Sequence, residues 1–400
     1  MSSIKVEKYI EAPVSEVYHY FTNSTAYREW MCDVATLQPH AGGHIYLCWL
    51  GDYYTSGEFI SLENNKSVSF TWLGRNEPRQ TRVEVAFKKK KAGTLVKLNH
   101  RGIGKGKKWE SVGEGYKREW NNALENLASV LETGADLRIT RRPMLGIYVG
   151  EFNAEIAAQL CVPVETGVRL EGVVDGMGAQ QAGLQKDDVI VSIDDKDLAT
   201  GVPIGTMIAE KHAGDVVEVG FYRGQDKKST KMTLSGRHIP VIPASGIELS
   251  KQVEPVYHKY EAEIEVLLNG ASEEECSRKP GAGEWSANEI LAHLIQSEIG
   301  WQNYSSEIIQ GHEGAYDDFG GNLQARIDGT LAIFPTKSAL LRELKAHDAE
   351  SLAILAHLPE DSPTHKGRFW RLTFTANDNS IHLQSHLEQM RAAIESARKH

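Results

Sequence analysis

Residues His382 to Met390 read HLQSHLEQM, and this stretch decides how the last third of the chain is interpreted. His382 and His386 are four positions apart, which on an α-helix places their Cβ atoms about 5–6 Å from each other on one face. Two imidazoles at that spacing can share one metal ion, but they can equally lie on a solvated helix face. The chain has 15 histidines, so the pair alone leaves both interpretations open.

The sequence around this stretch predicts an all-α bundle in residues 249–400. Four long helices are expected, at about residues 251–270, 283–311, 336–358 and 380–399. Ser286 is a candidate N-cap with Glu289 three residues later, a capping box that predicts the start of the second helix. The long connection after this helix predicts an up-and-down four-helix bundle with a crossover between its second and third helices.

Together with EWSANEILAHLIQSE at Glu284–Glu298, the stretch HLQSHLEQM resembles the DinB-like family. The resemblance implies one histidine ligand on the second helix and a pair on the last, here His293, His382 and His386, with Gln389 at a position that the family motif favours. Three neutral imidazoles leave a coordination position open, which is typical of a catalytic site. Zinc, nickel or iron would fit as the divalent metal. Some members resemble thiol-dependent transferases, which implies a small thiol whose thiolate the metal favours.

Residues 142–237 resemble a bacterial PDZ domain. The signature is TGVRLEGVVDGMGAQQAGLQKDDVIVSIDDKDL at Thr166–Leu198, followed by a groove-helix segment and a strand that ends in a hairpin. The resemblance implies a mostly-β fold whose groove binds a protein C-terminal peptide by strand addition. A groove used only for packing against neighbouring domains is the alternative. The implied peptide-binding residues are Leu145, Gly146, Ile147 and Tyr148 in MLGIYV, with Ile204 and Ile208 on the groove helix.

Residues 1–135 predict an α+β domain of alternating strands closed by one long helix, with an apolar stripe at Trp120, Leu124, Leu127 and Leu131. IEAPVSEVYHYFTN, AGGHIYLCW, TLVKLNHRG and EWNNALENLASVLETG resemble the SRPBCC (START-like) superfamily, in the branch named after an activator of a heat-shock ATPase. The resemblance implies a helix-grip fold around a cavity for apolar small molecules. Aromatic residues that only fill the core are the alternative. The candidate cavity residues are Trp30, Trp49, Tyr53, Trp72 and Trp109.

Composition limits the remaining possibilities. A formal net charge of −10 argues against nucleic acid as a partner, because phosphate binding requires clustered cations. Two basic clusters are present nevertheless, at Lys88–Lys91 and Gly104–Lys108. They are interpreted as solvated hairpin turns or as a patch for an anionic partner. Four scattered cysteines predict free thiols. The sequence contains no apolar run long enough for a membrane span or a signal peptide, so a cytoplasmic location is expected.

Two functions are consistent with these three modules. The favoured one is a cytoplasmic, stress-linked binding protein that combines an apolar small-molecule cavity, a groove for a C-terminal peptide and a three-histidine metal site. The alternative is a metal-dependent thiol S-transferase or hydrolase that acts through the bundle. Whether the chain is an enzyme stays open at this point, as does its oligomeric state.

Overall fold

The computed structural model describes residues 2–49, 53–104, 106–194, 196–198, 204–208, 211–281, 283–311 and 323–399, apart from the side chains of residues 107, 108, 110–114 and 379–381. The chain divides into two compact units. One unit combines Met1–Asp136 with Pro240–His400, and the other is Leu137–Ile239. None of the described helices combines the length and the apolar character that crossing a bilayer requires.

The N-terminal part of the first unit is a seven-stranded antiparallel sheet with one long helix. In the sheet the strand order is β1-β7-β6-β5-β4-β3-β2. The strands are β1 (Ser2–Ile10), β2 (Val34–Leu37), β3 (His44–Trp49), β4 (Tyr53–Glu63), β5 (Ser67–Gly74), β6 (Thr81–Lys90) and β7 (Gly93–Ile103), and the helices are α1 (Val14–His19), α2 (Ser24–Arg28) and α3 (Lys107–Thr133).

Buried and exposed side chains alternate along the strands, which shows which face of this sheet packs against the core. In β6, Val83, Val85 and Phe87 are buried, whereas Arg82 and Lys88 are exposed. Side chains of a strand point alternately to opposite faces, so the buried set lies on one face. The stripe predicted on α3 is buried and joins the same core, which confirms that the long helix lies against the sheet.

The second unit is a small open sheet with short helices, as a PDZ fold requires. Its strand order is β13-β12-β10-β9-β8, and β11 pairs with β10. The elements are α4 (Leu137–Thr140), β8 (Ile147–Gly150), α5 (Ala154–Gln159), β9 (Val168–Val173), α6 (Gly178–Gln181), β10 (Val189–Ile193), β11 (Lys196–Asp197), α7 (Ile204–Met207), β12 (Val216–Arg223) and β13 (Asp226–Thr233).

The C-terminal part of the first unit is helical. α8 and α10 each pack against both α12 and α13, which gives a bundle of four long helices. The predicted capping box is present at the start of α10, where Ser286 Oγ accepts from the Glu289 amide at 3.2 Å and Glu289 Oε2 accepts from the Ser286 amide at 2.9 Å. The helices are α8 (Gly246–Asn269), α9 (Glu273–Ser277), α10 (Ala287–Gln310), α11 (Leu323–Ile333), α12 (Lys337–Ala356) and α13 (Lys366–Ala397).

The last helix differs from the prediction, because α13 begins at Lys366 and not near residue 380. The added segment contains Thr373, Thr375 and Asn377, which are weak helix formers. Tertiary packing overrides this preference, because Phe369 and Leu372 are buried in a cluster with residues of α8.

The beginning of α13 packs against the N-terminal domain. The Lys366 ammonium donates to the Glu132 carbonyl at 2.9 Å, and Arg368 Nε lies 3.7 Å from the buried carboxylate of Glu29. Tyr20 donates its hydroxyl to the same carboxylate at 2.7 Å. Gly367 lies directly against the Glu29 carboxylate, since a Cβ at this position would be 2.2 Å from Glu29 Oε2. The sheet domain and the bundle therefore share a close-packed, charged contact.

We expect Gly367→Ala to destabilise this contact by about 1–3 kcal/mol, the usual cost of forcing an extra carbon into a packed interior. The matched control is Gly329→Ala, because Gly329 lies in α11 and a Cβ there meets nothing within 4 Å. That control should be neutral or stabilising by up to about 1 kcal/mol, since alanine favours helix. Urea unfolding of both variants checks the prediction, and equal stability of the two would contradict it.

Candidate functional site

Three histidines of the bundle converge through the same ring atom. His293 lies on α10, and His382 and His386 lie one turn apart on α13. His382 Nε2 is 3.2 Å from His293 Nε2 and 3.0 Å from His386 Nε2. In the part of the chain that the structure describes, this is the one group of three or more metal-ligating side chains whose ligand atoms all lie within 4.8 Å of one another. The structure thus brings together the three residues that the sequence suggested.

The spacing of the three nitrogens fits a metal ion. Metal–nitrogen bonds of about 2.0–2.1 Å at tetrahedral angles place two ligand nitrogens roughly 3.3 Å apart. The observed separations of 3.0 and 3.2 Å are close to that value. Two of the three rings are on one helix at i and i+4, so only the packing of α10 against α13 is needed to add the third. The donor set suits zinc, nickel or iron.

Neighbouring side chains prepare these rings for coordination. Gln389 Oε1 lies 2.9 Å from His386 Nδ1, so it can accept the Nδ1 hydrogen and leave Nε2 as the ligand atom. Burial is the main cause that lowers the pKa of His293 and of His382 to about 4, with a further contribution from the neighbouring imidazoles. Both rings are therefore neutral at pH 7, the form that binds metal. The Trp285 ring packs 5.0 Å from the His293 ring.

A pocket of about 220 Å³ opens beside His382. It lies between α10 and α13, and its wall includes both polar and aromatic groups. A small molecule in this pocket would lie next to one of the three histidines. The residues that line it are Ser297, Glu298, Trp301, Thr375, Asp378 and His382.

Glu298 is the buried carboxyl group of this pocket, with 3% of its surface exposed. Its Oε2 accepts hydrogen bonds from the Tyr257 hydroxyl at 3.1 Å and from Ser351 Oγ at 2.9 Å. Asp348 lies nearby in α12 and is also buried. Burial, and then the charges of Glu298 and Glu261, raises the pKa of Asp348 well above its ordinary value. These effects favour the protonated form of Asp348.

The aromatic residues proposed to line a cavity in the N-terminal domain belong to one hydrophobic core but make different ring contacts within it. The rings of Trp49 and Tyr53 are 5.4 Å apart, and those of Trp49 and Trp72 are 6.3 Å apart. The ring of Trp30 lies 5.0 Å from that of Phe21 in another part of the same hydrophobic core. Trp109 is buried beneath the Arg79 guanidinium, which lies 5.9 Å from its ring centre. Of the five, the structure places Trp49, Tyr53 and Trp72 together.

A buried polar network lies beside these rings. Glu77 Oε1 accepts from the Tyr53 hydroxyl at 2.9 Å and from the Tyr116 hydroxyl. Two buried polar atoms have no hydrogen-bond partner among the described residues, namely Glu77 Oε2 and the indole nitrogen of Trp72. Burying a donor and an acceptor without partners is costly, so both atoms could bind polar groups of a ligand.

The PDZ unit presents β8 at the edge of its sheet, where a peptide strand could pair. Gly146 precedes β8 with φ +78°, a left-handed conformation, and a Cβ there would lie 2.3 Å from Met177 Cβ. Both facts require glycine at this turn. Leu145 is buried in the core of the unit, and Ile147 packs against it. Tyr148 is half-buried in β8.

The two residues proposed on the groove helix lie against the PDZ core. Ile208 is buried in it, with 4% of its surface exposed. Ile204 is partly buried and packs against the same core. Ile204 therefore retains an exposed surface that a peptide side chain could meet, whereas Ile208 follows the last residue of α7 and is buried in the core.

Sequence reasoning missed Glu298, Trp301 and Asp348. A signal for Glu298 exists, because Leu291, Leu294 and Ile295 precede it at positions i−7, i−4 and i−3 on α10. Those positions form one buried stripe, so a carboxylate at the next position of the stripe is expected to face the bundle interior. The same reasoning finds His100, which follows Val96 and Leu98 on the inward face of β7.

Comparisons with known families confirm the three predicted resemblances, in the predicted order. Residues 11–132 match the family described as activator of Hsp90 ATPase homolog 1-like protein. Residues 143–234 match the PDZ domain, and residues 257–390 match the DinB superfamily. The chain thus contains an α+β domain, a PDZ domain with a β-sheet and a helical DinB domain. The limits 1–135, 142–237 and 249–400 enclose these matches and stay predictions.

Curated relatives align with the PDZ region. A segment of 114 residues is 29% identical to a probable periplasmic serine protease do/HhoA-like of Haemophilus influenzae, covering 28% of this chain and 24% of that protein. A segment of 124 residues is 28% identical to the periplasmic pH-dependent serine endoprotease DegQ of Escherichia coli, covering 31% of this chain and 26% of that protein. The chain spans about a quarter of the length of these two relatives.

Solved structures are also similar to a part of the chain. An HSP90 activator from Plasmodium falciparum is 24% identical, with 33% of this chain and 97% of that one covered and a TM-score of 0.29. The Aha1 dimer from Colwellia psychrerythraea is 18% identical, with 33% and 97% covered and a TM-score of 0.30.

The cytoplasmic location expected from the sequence is contradicted by the curated relatives. Three of them are described as periplasmic proteases, which points to a periplasmic context for proteins that share this PDZ region. The expectation relied on finding no apolar run long enough for a signal peptide or a membrane span. A folded domain has the same character in either compartment, so this observation could not distinguish between them.

Proposed function

We propose that this chain, which joins an Hsp90-activator-like domain, a PDZ domain and a DinB-like bundle, binds a divalent metal through His293, His382 and His386 and acts on a small molecule in the adjoining pocket. The observation that carries the proposal is the convergence of three Nε2 atoms next to a pocket of about 220 Å³. The reaction class that this arrangement supports best is thiol transfer to an electrophile.

The residues of the bundle have distinct tasks in this proposal. When bound, the metal would lower the pKa of a coordinated thiol and so supply a nucleophile at neutral pH. Gln389 holds the orientation of the His386 ring through Nδ1. Trp285 covers the His293 ring and keeps water from that side of the site. Glu298, buried in the pocket wall, is placed to accept or hold a proton.

The test begins with elemental analysis of the full chain purified without a histidine tag. About one equivalent of zinc, nickel or iron per chain supports the proposal, and a metal-free protein that takes up none of them in equilibrium dialysis contradicts it. Assays with small thiols and electrophiles then separate catalysis from binding alone. A bound metal without any thiol-dependent turnover would favour a binding role for the chain.

The second proposed function is capture of a protein C-terminal peptide by the PDZ unit. The edge position of β8 and the left-handed turn at Gly146 support it, because main-chain pairing and convergent amides are the means by which such grooves hold a peptide terminus. Packing of the groove against other parts of the protein is the competing use.

We expect amidation of the terminal carboxylate to weaken binding of a peptide selected for this groove by at least about fivefold, because a charge-assisted hydrogen bond is lost. Fluorescence anisotropy of the acid and amide forms of one peptide gives the comparison. Equal affinities would show that the groove does not read a free terminus. Gly146→Val is the variant that disrupts the turn before β8, because the left-handed φ at this position disfavours a β-branched residue.

A third proposal concerns the N-terminal domain, which we infer binds an apolar small molecule with some polar groups. The grouped rings of Trp49, Tyr53 and Trp72 would supply the apolar contact. The buried indole nitrogen of Trp72 and Glu77 Oε2 would supply a donor and an acceptor.

A further inference from the structure

Carboxyl groups from three different helices meet around Asp348 inside the bundle. Glu261 lies on α8, Glu298 on α10 and Asp348 on α12. Glu298 and Asp348 are buried, with 3% and 5% of their surfaces exposed, and Glu261 is half-buried. Asp348 interacts with both of the others, electrostatically with Glu298 and through a side-chain hydrogen bond with Glu261. Burying several carboxyl groups at one place is costly when all of them are ionised.

We propose that Asp348 and Glu261 share one proton, and that this Asp348–Glu261 contact is a pH-sensitive device that holds α12 against α8. The contact is strong while the proton is bound and weakens when rising pH removes it. It involves none of the three converging histidines, so it stands independently of the metal site and of the reaction proposed above.

The hydrogen bond between Asp348 and Glu261 is the geometric basis of this inference. Ionised carboxylates have only acceptor oxygens, so two of them cannot form a hydrogen bond with each other. A hydrogen bond between two carboxyl groups therefore requires a proton on one of them, and that proton belongs to the pair. Asp348 is the more buried of the two, so its ionisation carries the larger cost.

The third helix strengthens the preference of Asp348 for a proton. Burial is the largest cause that raises the pKa of Asp348 above its ordinary value of 3.8, followed by Glu298 and then by Glu261. Ser351, one turn after Asp348 on α12, donates its hydroxyl to Glu298 Oε2 at 2.9 Å. The Tyr257 hydroxyl of α8 donates to the same oxygen at 3.1 Å. Polar groups thus join all three helices at one level of the bundle.

The side chains around Asp348 include two potential cations, and both have carboxylate partners of their own. Lys345, three residues before Asp348 on α12, lies 2.6 Å from Glu265 of α8. His347 contacts two glutamates of its own helix. A shared proton is therefore the means by which Asp348 is neutralised among the described residues. The titratable and charged groups that face or adjoin Asp348 on the packed helices are Tyr257, Glu261 and Glu265 of α8, Glu298 of α10, and Lys345 and His347 of α12.

The direction of the pH effect follows from the raised pKa of Asp348. In the unfolded chain this aspartate loses its proton near its ordinary value of 3.8, whereas the folded bundle retains the proton to higher pH. Folding above about pH 4 is therefore coupled to uptake of a proton, and the stability of the folded state falls as the pH rises. The contribution of the contact is fully present below the ordinary pKa and is lost as the pH passes through the raised one.

Asp348→Asn tests the contact, because an amide can donate a hydrogen bond to Glu261 at every pH. Thermal unfolding of the full chain is followed from about pH 5 to about pH 9 for the wild type and the variant. We expect the melting temperature of Asp348→Asn to exceed that of the wild type by a margin that grows with pH to at least about 3 °C. Asp328→Asn is the matched control, since Asp328 is an exposed aspartate of α11, and its margin should not change with pH.

Infrared spectroscopy of the wild type observes the shared proton itself. At pH 7 the carbonyl stretch of a protonated, buried carboxyl group should be present, and it should disappear as the pH rises. Glu261→Gln removes the half-buried partner, so the band should disappear at a pH lower by about one unit or more. That shift supports the shared proton even where Asp348→Asn does not fold. A wild type without the band at pH 7, or a melting-temperature margin of Asp348→Asn that does not change with pH, would overturn the proposal.

Discussion

His386→Ala should empty the three-histidine site, so that metal content falls from near one equivalent to less than about a tenth at micromolar protein. The ring of His386 supplies one of three converging Nε2 atoms and holds a hydrogen bond to Gln389. Loss of an outer partner of a ligand already costs 10–100-fold in affinity, so loss of a ligand should cost at least about a hundredfold. Elemental analysis after dialysis measures the metal content, and competition with a chromophoric chelator measures the metal affinity.

His347→Ala is the matched control for this experiment. His347 lies on α12, with its ring nitrogens 3.5 Å from Glu343 and 3.4 Å from Glu350, and it is not one of the three converging residues. Its removal should leave metal content unchanged. Near-unit occupancy in both variants would refute the site, and a loss in both would show that the assay reports folding of the bundle and not coordination.

The second large effect concerns His100, whose burial should make the stability of the N-terminal domain depend on pH. Burial lowers the pKa of His100 to about 4 from its ordinary value of 6.5. Both ring nitrogens of His100 already form hydrogen bonds. Trp120 Nε1 donates to Nδ1 at 3.2 Å, and Nε2 lies 2.8 Å from Thr81 Oγ1. Because the Thr81 hydroxyl donates to the Trp72 carbonyl at 3.0 Å, Nε2 must carry the hydrogen of the neutral ring.

The sign of the effect follows from these two pKa values. Above pH 6.5 the ring is neutral in both folded and unfolded chains, so its full contribution to stability is present. As the pH falls from 6.5 to about 4, the unfolded chain takes up a proton that the folded one refuses, and the folded state loses stability. Between pH 7.5 and 4.5 the loss from this one residue should be on the order of 2–3 kcal/mol.

Urea unfolding of the wild type and of His100→Gln at both pH values isolates this contribution. Glutamine does not titrate, so the stability difference between the two proteins should shrink by about 2–3 kcal/mol on acidification. All other titrating groups cancel in that comparison. His44→Gln provides a control at an exposed position of β3, where no such change is expected. A constant difference between wild type and His100→Gln would show that His100 accepts a proton in the folded state.

Much of the fold was predictable because the patterns are local. Period-two alternation in the strands, the apolar stripe of α3 and the capping box at Ser286 each fix an element from nearby residues. The convergence of the three histidines was predictable for a related reason. Two of them lie on one helix turn, and the resemblance that supplied His293 rests on short motifs with fixed spacing.

The remaining features depend on contacts between distant segments, which no local pattern encodes. The early start of α13 is determined by its packing against α8 and the N-terminal domain. The contact of Trp49 with Trp72 joins β3 to β5, which are not sequential strands. The pairing of Asp348 with Glu298 joins α12 to α10, fifty positions apart in the chain.

The helix α13 carries one end of the contact to the N-terminal domain and also two of the three histidines proposed to bind a metal. From Arg368 to His382 the helix rises about 21 Å at 1.5 Å per residue. A ligand that binds only the folded state stabilises everything that unfolds together with its site. Where the sheet domain and the bundle melt as one cooperative block, a metal bound at the proposed site would protect a sheet that it never touches, and depletion of that metal in the surroundings would lower the melting temperature of the distant sheet.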